Sequence, residues 1–502
     1  MSRTRQIPIK AALVLIAAIA SAGFFLFNSQ LALRMLFARF APEGLSVKKI
    51  SGTLAGPVRL EGITYSRGAN GTRVSIEKLG MDWRLTELMA MDLHITGITV
   101  SKMQIKIEQP VKPRPPGPLP SLRLPAFFSI TLDKAVARDV EYMPPSPQKP
   151  LLLERLSLSA HMRGDILHIR HMEAEAPRYS VSIRGRIKTA GNYQMALRTK
   201  WGFAPVGYPR AEGAGDLSGS LKQIHILQTI GPPYNTNIDF TVDGLLPQPG
   251  LKPGARPTWK GKVRWRSLQL KVPPAGNKTL NSPRGELATE GSTGAYRFRL
   301  DTEIYLKGKA LPGRLRAEGS GNMAGLRIES FRAAFPGGQL YGSGSLTLRA
   351  GPPEASPLAA KTKTSVGWMF TVAGKGVNPA WVSPKWGGNI NFAARISGSI
   401  AGVKRNISLD IDSLGGRLRG YPFGGSGRIR ITDHDYYIPG IHMRSGSAVM
   451  SASGSFVRGR WDLSWDLNAK NLGELLPDAG GSLLARGTFT GRGKPVVKAL
   501  IT

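Results

Sequence analysis

A chain of 502 residues that is 41% hydrophobic, 8% aromatic and 20% charged has room for several domains and too much apolar content to be disordered throughout. With no cysteine, it has no disulfides, thiolate metal sites or cysteine nucleophiles. A formal charge of +35 leaves three readings open: a nucleic-acid footprint, attraction to anionic lipid, or the wet face of a large sheet.

The first element is helical. No charged residue occurs from Ala11 to Leu33, and residues 11–27 are nearly all apolar, with Arg3, Arg5 and Lys10 in front. At ~1.5 Å per residue, about 20 helical residues cross the ~30 Å hydrocarbon core. Ala11, Leu15, Phe24 and Phe27 are therefore read as part of a membrane anchor. Ala20-Ser21-Ala22 keeps a cleaved secretory peptide as the alternative, but Phe24 to Phe27 continue the apolar stretch beyond it. Next, Leu33, Leu36, Phe37 and Phe40 recur at spacings of three and four, with Arg34 and Arg39 between them. This predicts a short amphipathic helix, either lying on the membrane surface or capping the first strands. Residues 1–44 form the anchor region.

From Leu45 the hydrophobic period becomes two, and it stays so to Thr502. Met103, Ile105 and Ile107 alternate with Lys102, Gln104 and Lys106. Val181 and Ile183 stand against Arg184, Arg186 and Lys188, and Val263 and Trp265 against Lys262, Arg264 and Arg266. Ile429 and Ile431 alternate with Arg428 and Arg430, as do Trp461, Leu463, Trp465 and Leu467 with Asp462, Ser464, Asp466 and Asn468. Successive side chains of a strand point to opposite faces, so each stretch has one apolar and one wet face. The cations thus belong mostly to a solvated sheet face, where anionic lipid could still attract them. A nucleic-acid domain would gather them on one helix or patch.

Ser51-Gly52-Thr53-Leu54, Ser218-Gly219-Ser220-Leu221, Ser397-Gly398-Ser399-Ile400 and Gly487-Thr488-Phe489 form a loose repeat, each copy preceding an alternating strand. The irregular spacing excludes a propeller or strict solenoid and fits a hairpin-rich meander. Pro-rich punctuation near 110–125, 144–150, 247–257 and 351–357 reads as excursions from one elongated β region spanning 45–502.

No residue pattern supports catalysis. A hydrolase elbow, a phosphate loop and a zinc-protease motif are all missing from the sequence. His168 and His171 have a helical metal-pair spacing, but in a strand a separation of three places them on opposite faces. Asp433-His434-Asp435 reads as a turn, and Asp410 and Asp412 as the wet side of a strand. The expectation is no enzyme, no cofactor and no metal.

Two stretches resemble a known family. Ile50-Ser51-Gly52-Thr53-Leu54-Ala55-Gly56-Pro57, Leu60-Glu61-Gly62-Ile63-Thr64-Tyr65 and Met81-Asp82-Trp83-Arg84-Leu85 lie in the first, residues 47–107. Val377-Asn378-Pro379-Ala380-Trp381, Leu414-Gly415-Gly416-Arg417-Leu418-Arg419-Gly420-Tyr421-Pro422 and Leu472-Gly473-Glu474-Leu475-Leu476-Pro477 lie in the second, residues 377–502. In that order they resemble the N-terminal half of the TamB family, inner-membrane subunits of the translocation and assembly module within the AsmA-like group. Residues 110–370 match it only in texture.

The resemblance implies a mainly β fold: an N-terminal transmembrane helix, then a long antiparallel sheet curled into an apolar groove. It implies a single-pass bacterial inner-membrane protein with its bulk in the periplasm, carrying phospholipid acyl chains toward the outer membrane. The alternative is a chaperone for outer-membrane β-barrel proteins, working with an Omp85-type partner. Nucleic acid is not an expected partner. Family members are usually longer, so the chain is expected to be a fragment or to work with a separately encoded C-terminal half. The groove candidates are Val181, Ile183, Val263, Trp265, Ile429, Ile431, Leu463 and Trp465. At ~4.8 Å per strand, roughly 25 strands would extend about 120 Å.

Overall fold

The computed structural model describes residues 29–67, 72–107, 121–144, 150–246, 256–271, 279–305, 313–350, 364–381, 383–401, 404–476, 479–492 and 496–501. The predicted anchor, with Ala11, Leu15, Phe24 and Phe27, lies outside them. Among the described residues no helix is long and apolar enough to cross a membrane. The predicted amphipathic segment is a helix, Gln30–Phe40; the Ser29 hydroxyl caps it by accepting from the Ala32 N–H at 3.1 Å, and Leu33 is buried.

Among the described residues after the helix most are strand, as the alternation predicts: twenty-seven described strands run from Leu45–Gly52 to Val496–Ile501. They fall into two compact units, Met1–Pro232 with Asp243–Gly250, and Pro233–Val242 with Leu251–Thr502. In the first, eleven strands from Leu45–Gly52 to Gln223–Ile230 each pair with the next along the chain. In the second, the fifteen strands from Thr258–Lys271 to Val496–Ile501 do the same, all antiparallel.

Among the described ladders the antiparallel expectation fails at one place: strands Asp92–Ile107 and Ser129–Met143 are parallel, with Asp92 opposite Ser129 and Lys106 opposite Met143, so both run from the same rim of the sheet.

The strands pack as a face rather than as a closed interior. The side chains buried to 2% or less are small ones, Ala190, Ala448, Ala469 and Ala485, together with Ser445, and no large described side chain falls below 2% exposure. Among the described residues of each unit, this is the signature of a sheet face that no second layer covers. Its apolar residues lose water to their neighbours on either side but not from above.

Candidate functional surface

The ladder registers join the apolar side chains into continuous rows across the strands. In the first unit one row crosses all eleven strands: Ile50, Leu60, Leu79, Val100, Ala137, Leu156, Ala174, Val181, Trp201, Gly213 and Ile230 are successive cross-strand partners. A second row runs beside it through Val58, Met81, Ile98, Ala135, Leu158, Met172 and Ile183, ending in Thr199, Gly215 and Gln228.

The second unit carries a row over all fifteen strands: Val263, Leu287, Leu300, Ala317, Phe331, Gly342, Val372, Ala394, Ile411, Gly427, Ile441, Ala452, Trp465, Gly487 and Ala499. The parallel row that starts at Trp265 passes Phe392, Leu414 and Met443, and its one polar member is Thr302. Ile429 and Ile431 sit in two further rows, opposite Leu409 and Ile407, and Leu463 lies between Gly454 and Phe489. All eight residues singled out from alternation thus lie on these apolar rows, and each is half-buried. Their neighbours Arg184, Arg186, Lys188, Lys262, Arg264, Arg266, Arg428, Arg430 and Asp462 are exposed on the other side. Asp466, also on that side, is half-buried beside Arg486 at 2.7 Å.

Alternation missed how the rows stay in step. β-Bulges between Ile169 and Met172, Ile328 and Phe331, Ile411 and Leu414, and Ile438 and Ile441 insert an extra residue, so apolar residues three apart share one face. It also missed a pairing of rings with glycines. Trp265 lies over Gly285, Phe298 over Gly319, Phe370 over Gly344, Trp368 over Gly398, Phe392 over Gly374 and Trp465 over Gly487, each the direct cross-strand partner. A Cβ at any of these glycines would strike the ring, so the absent side chain is what lets the aromatic lie flat against the strand.

Two of the tryptophans on this face find hydrogen-bond partners within it. The Trp265 indole N–H donates to the Ser282 hydroxyl at 2.7 Å, which also meets the Thr302 hydroxyl at 2.8 Å. The Trp201 indole N–H donates to Gln228 at 3.0 Å. The Trp465 indole nitrogen is buried without a partner.

The opposite face is a field of cross-strand arginine–carboxylate pairs, including Arg264–Glu286 at 2.6 Å, Arg314–Asp301 at 2.7 Å and Arg395–Asp412 at 2.8 Å. Asp301 is held below the ordinary carboxylate range chiefly by its hydrogen bond from Arg314, with Arg316 adding to it. Asp410 accepts from Arg428 at 2.5 Å, so Asp410 and Asp412 both lie on the wet side as expected. Asp433 and His434 form the predicted turn, in which the Asp433 carboxylate accepts from the Arg405 N–H at 2.9 Å.

The reading of His168 and His171 is corrected. The bulge between Ile169 and Met172 puts both histidines on the polar face, His168 across from His161 and His171 across from Ser159. His171 reaches Glu173 at 3.4 Å, while His168 is exposed. Elsewhere on the polar face, Glu87, Asp92 and His94 converge, and both imidazole nitrogens of His94 are taken up by carboxylates, Glu87 at 2.6 Å and Asp133 at 2.7 Å.

No curated protein matches the chain. Among known families, residues 115–499 match the TamB N-terminal domain. The match takes in the middle region, where the sequence resembled the family only in texture, and begins after the first resembling stretch, residues 47–107. The match covers most of the chain, and the chain belongs to the TamB family.

Proposed function

We propose that this TamB-family chain is held in the inner membrane by residues 11–27 and carries phospholipid acyl chains along its apolar rows, through the periplasm toward the outer membrane. In this reading the sheet curls about its apolar face as a groove, and no covalent chemistry takes place. The observation that carries it is the unbroken run of in-register apolar partners across eleven strands in one unit and fifteen in the other, with its large side chains left half-open. An acyl chain laid on such a row gains ~0.8 kcal/mol per buried CH₂. Because each strand offers an equivalent apolar residue every ~4.8 Å, a sliding chain meets little change in energy.

A photocrosslinker at Ile431, Leu463 or Val181 should capture phospholipid in cells, and one at Arg430 or Arg184 should not. Adducts to strands of outer-membrane barrel proteins, formed instead of lipid adducts, would replace this reading with an assembly chaperone. Equal labelling from both faces would refute it. The anchor is tested by N-terminal sequencing of the protein from cells; a mature chain starting at Gly23 would mean that residues 1–22 are removed.

A further inference from the structure

One ladder among the described pairings of the first unit is parallel. Its two strands, Asp92–Ile107 and Ser129–Met143, are joined through residues 108–128 rather than by a tight turn. Parallel pairing is also slightly less stable per residue than antiparallel pairing. Both apolar rows of the unit must cross here, at Val100 opposite Ala137 and Ile98 opposite Ala135. Anything that holds or loosens this seam holds or loosens the continuity of the face.

The polar side of the seam carries one concentrated polar cluster. His94 Nδ1 lies 2.6 Å from Glu87 Oε2, in the 3₁₀ turn Leu85–Ala90, and its Nε2 lies 2.7 Å from Asp133 Oδ2, on the partner strand. The His94 side chain keeps only 12% of its exposure. Asp92, two residues earlier, accepts from the hydroxyls of Ser129 at 2.8 Å and Thr131 at 3.0 Å, and Thr131 in turn meets His161 Nδ1 at 3.0 Å. Arg84, opposite His94 in the ladder, pairs with Glu87 at 3.4 Å, and Arg170 pairs with Asp133 at 3.6 Å. Three carboxylates, Glu87, Asp92 and Asp133, therefore face Arg84, Arg170 and His94.

A neutral imidazole has one N–H and one lone pair. With a carboxylate on each nitrogen, the neutral form would aim its lone pair at an anion, and only the imidazolium satisfies both contacts. We propose that His94 is a proton-operated staple: as imidazolium it ties the 3₁₀ turn and its own strand to Ser129–Met143, and on losing its proton it releases the seam. The His94 pKa is raised by the hydrogen bond to Asp133 first and that to Glu87 second, with burial opposing. A group whose folded pKa is raised stabilises fully below its unfolded value, about 6.5 for histidine, and that contribution is lost as pH climbs through the folded value. The staple therefore holds fully below about pH 6.5 and is lost as pH climbs through the raised folded pKa of His94. The consequence for lipid passage rests on the function proposed above; the seam itself does not.

The test is amide hydrogen exchange of the full chain across residues 92–101 and 129–138, from about pH 6 to 9 and corrected for the intrinsic pH dependence of exchange. Wild type should lose protection there as pH rises, while His94→Gln should exchange several-fold faster at low pH and show no pH step. Glu87→Gln, in an exposed turn, should keep the step and move it to lower pH, and it serves if His94→Gln does not accumulate. Identical profiles for wild type and the variants would overturn the staple. So would a seam that loosens with chelator at fixed pH, which would put an ion where the proton is assigned. Neither readout involves lipid, so failure of the staple and failure of lipid transfer are told apart.

Discussion

The two units build the same kind of face from different side chains. The long row of the first unit is almost entirely aliphatic, with Trp201 opposite Gly213 as its one ring-on-glycine pair. The rows of the second unit interleave rings with glycines: Trp265 with Gly285, Tyr296 with Gly321, Phe331 with Gly342, Phe392 with Gly374 and Trp465 with Gly487. Glycine in a strand costs about 0.5–1 kcal/mol relative to alanine and leaves backbone bare. A ring laid across the gap covers that backbone and offsets the cost. The row of the first unit therefore has one such dependence, at Trp201, whereas ring after ring in the second unit depends on the partner that leaves it room.

The largest expected difference comes from filling one of those gaps. Gly374 is buried, and a Cβ there would collide with the Phe392 ring. Gly374→Val must push the ring off the sheet, and should destabilise the protein by about 2–3 kcal/mol, as overpacking does. Ala174→Leu, at a half-buried place in the aliphatic row, only lengthens a side chain that already points away from the strand, and should cost less than about 0.5 kcal/mol. Urea denaturation followed by circular dichroism measures both. Equal costs would mean that the ring–glycine pairs are not structural units.

How much of this could be read from the sequence depends on where the period of two survives. It survives at Val181 to Lys188, Lys262 to Arg266 and Trp461 to Asn468, and there both faces were assigned correctly residue by residue. It fails at the bulges, where Ile169 and Met172, or Ile411 and Leu414, reach the same face although they are three apart. A bulge depends on the partner strand, so one strand's own sequence cannot announce it, and His168 and His171 were misplaced for that reason. The loose Ser-Gly repeat was visible, but its glycines do two different jobs. Gly52 and Gly219 hold positive φ at strand ends, while Gly398 and Gly487 lie under Trp368 and Trp465. The cluster around His94 was not legible. It needs the parallel return of the chain, which brings Asp133 beside a histidine 39 residues earlier.

A smaller effect separates two tryptophans that look alike in the sequence. Each stands in an alternating strand, each covers a glycine, and each lies on a long apolar row. Trp265 donates its N–H to Ser282, whereas the Trp465 nitrogen is buried with no acceptor. Trp→Phe at either site removes a similar apolar area. At Trp265 it also strips a donor from the buried Ser282–Thr302 pair, at a cost of about 1 kcal/mol beyond the lost area. At Trp465 no hydrogen bond is lost, and a buried donor that had gone unsatisfied disappears, so the substitution should be close to neutral. The comparison is the difference between the two variants in urea midpoint at constant slope. If Trp465→Phe proves as costly as Trp265→Phe, the indole of Trp465 has an acceptor in the working protein.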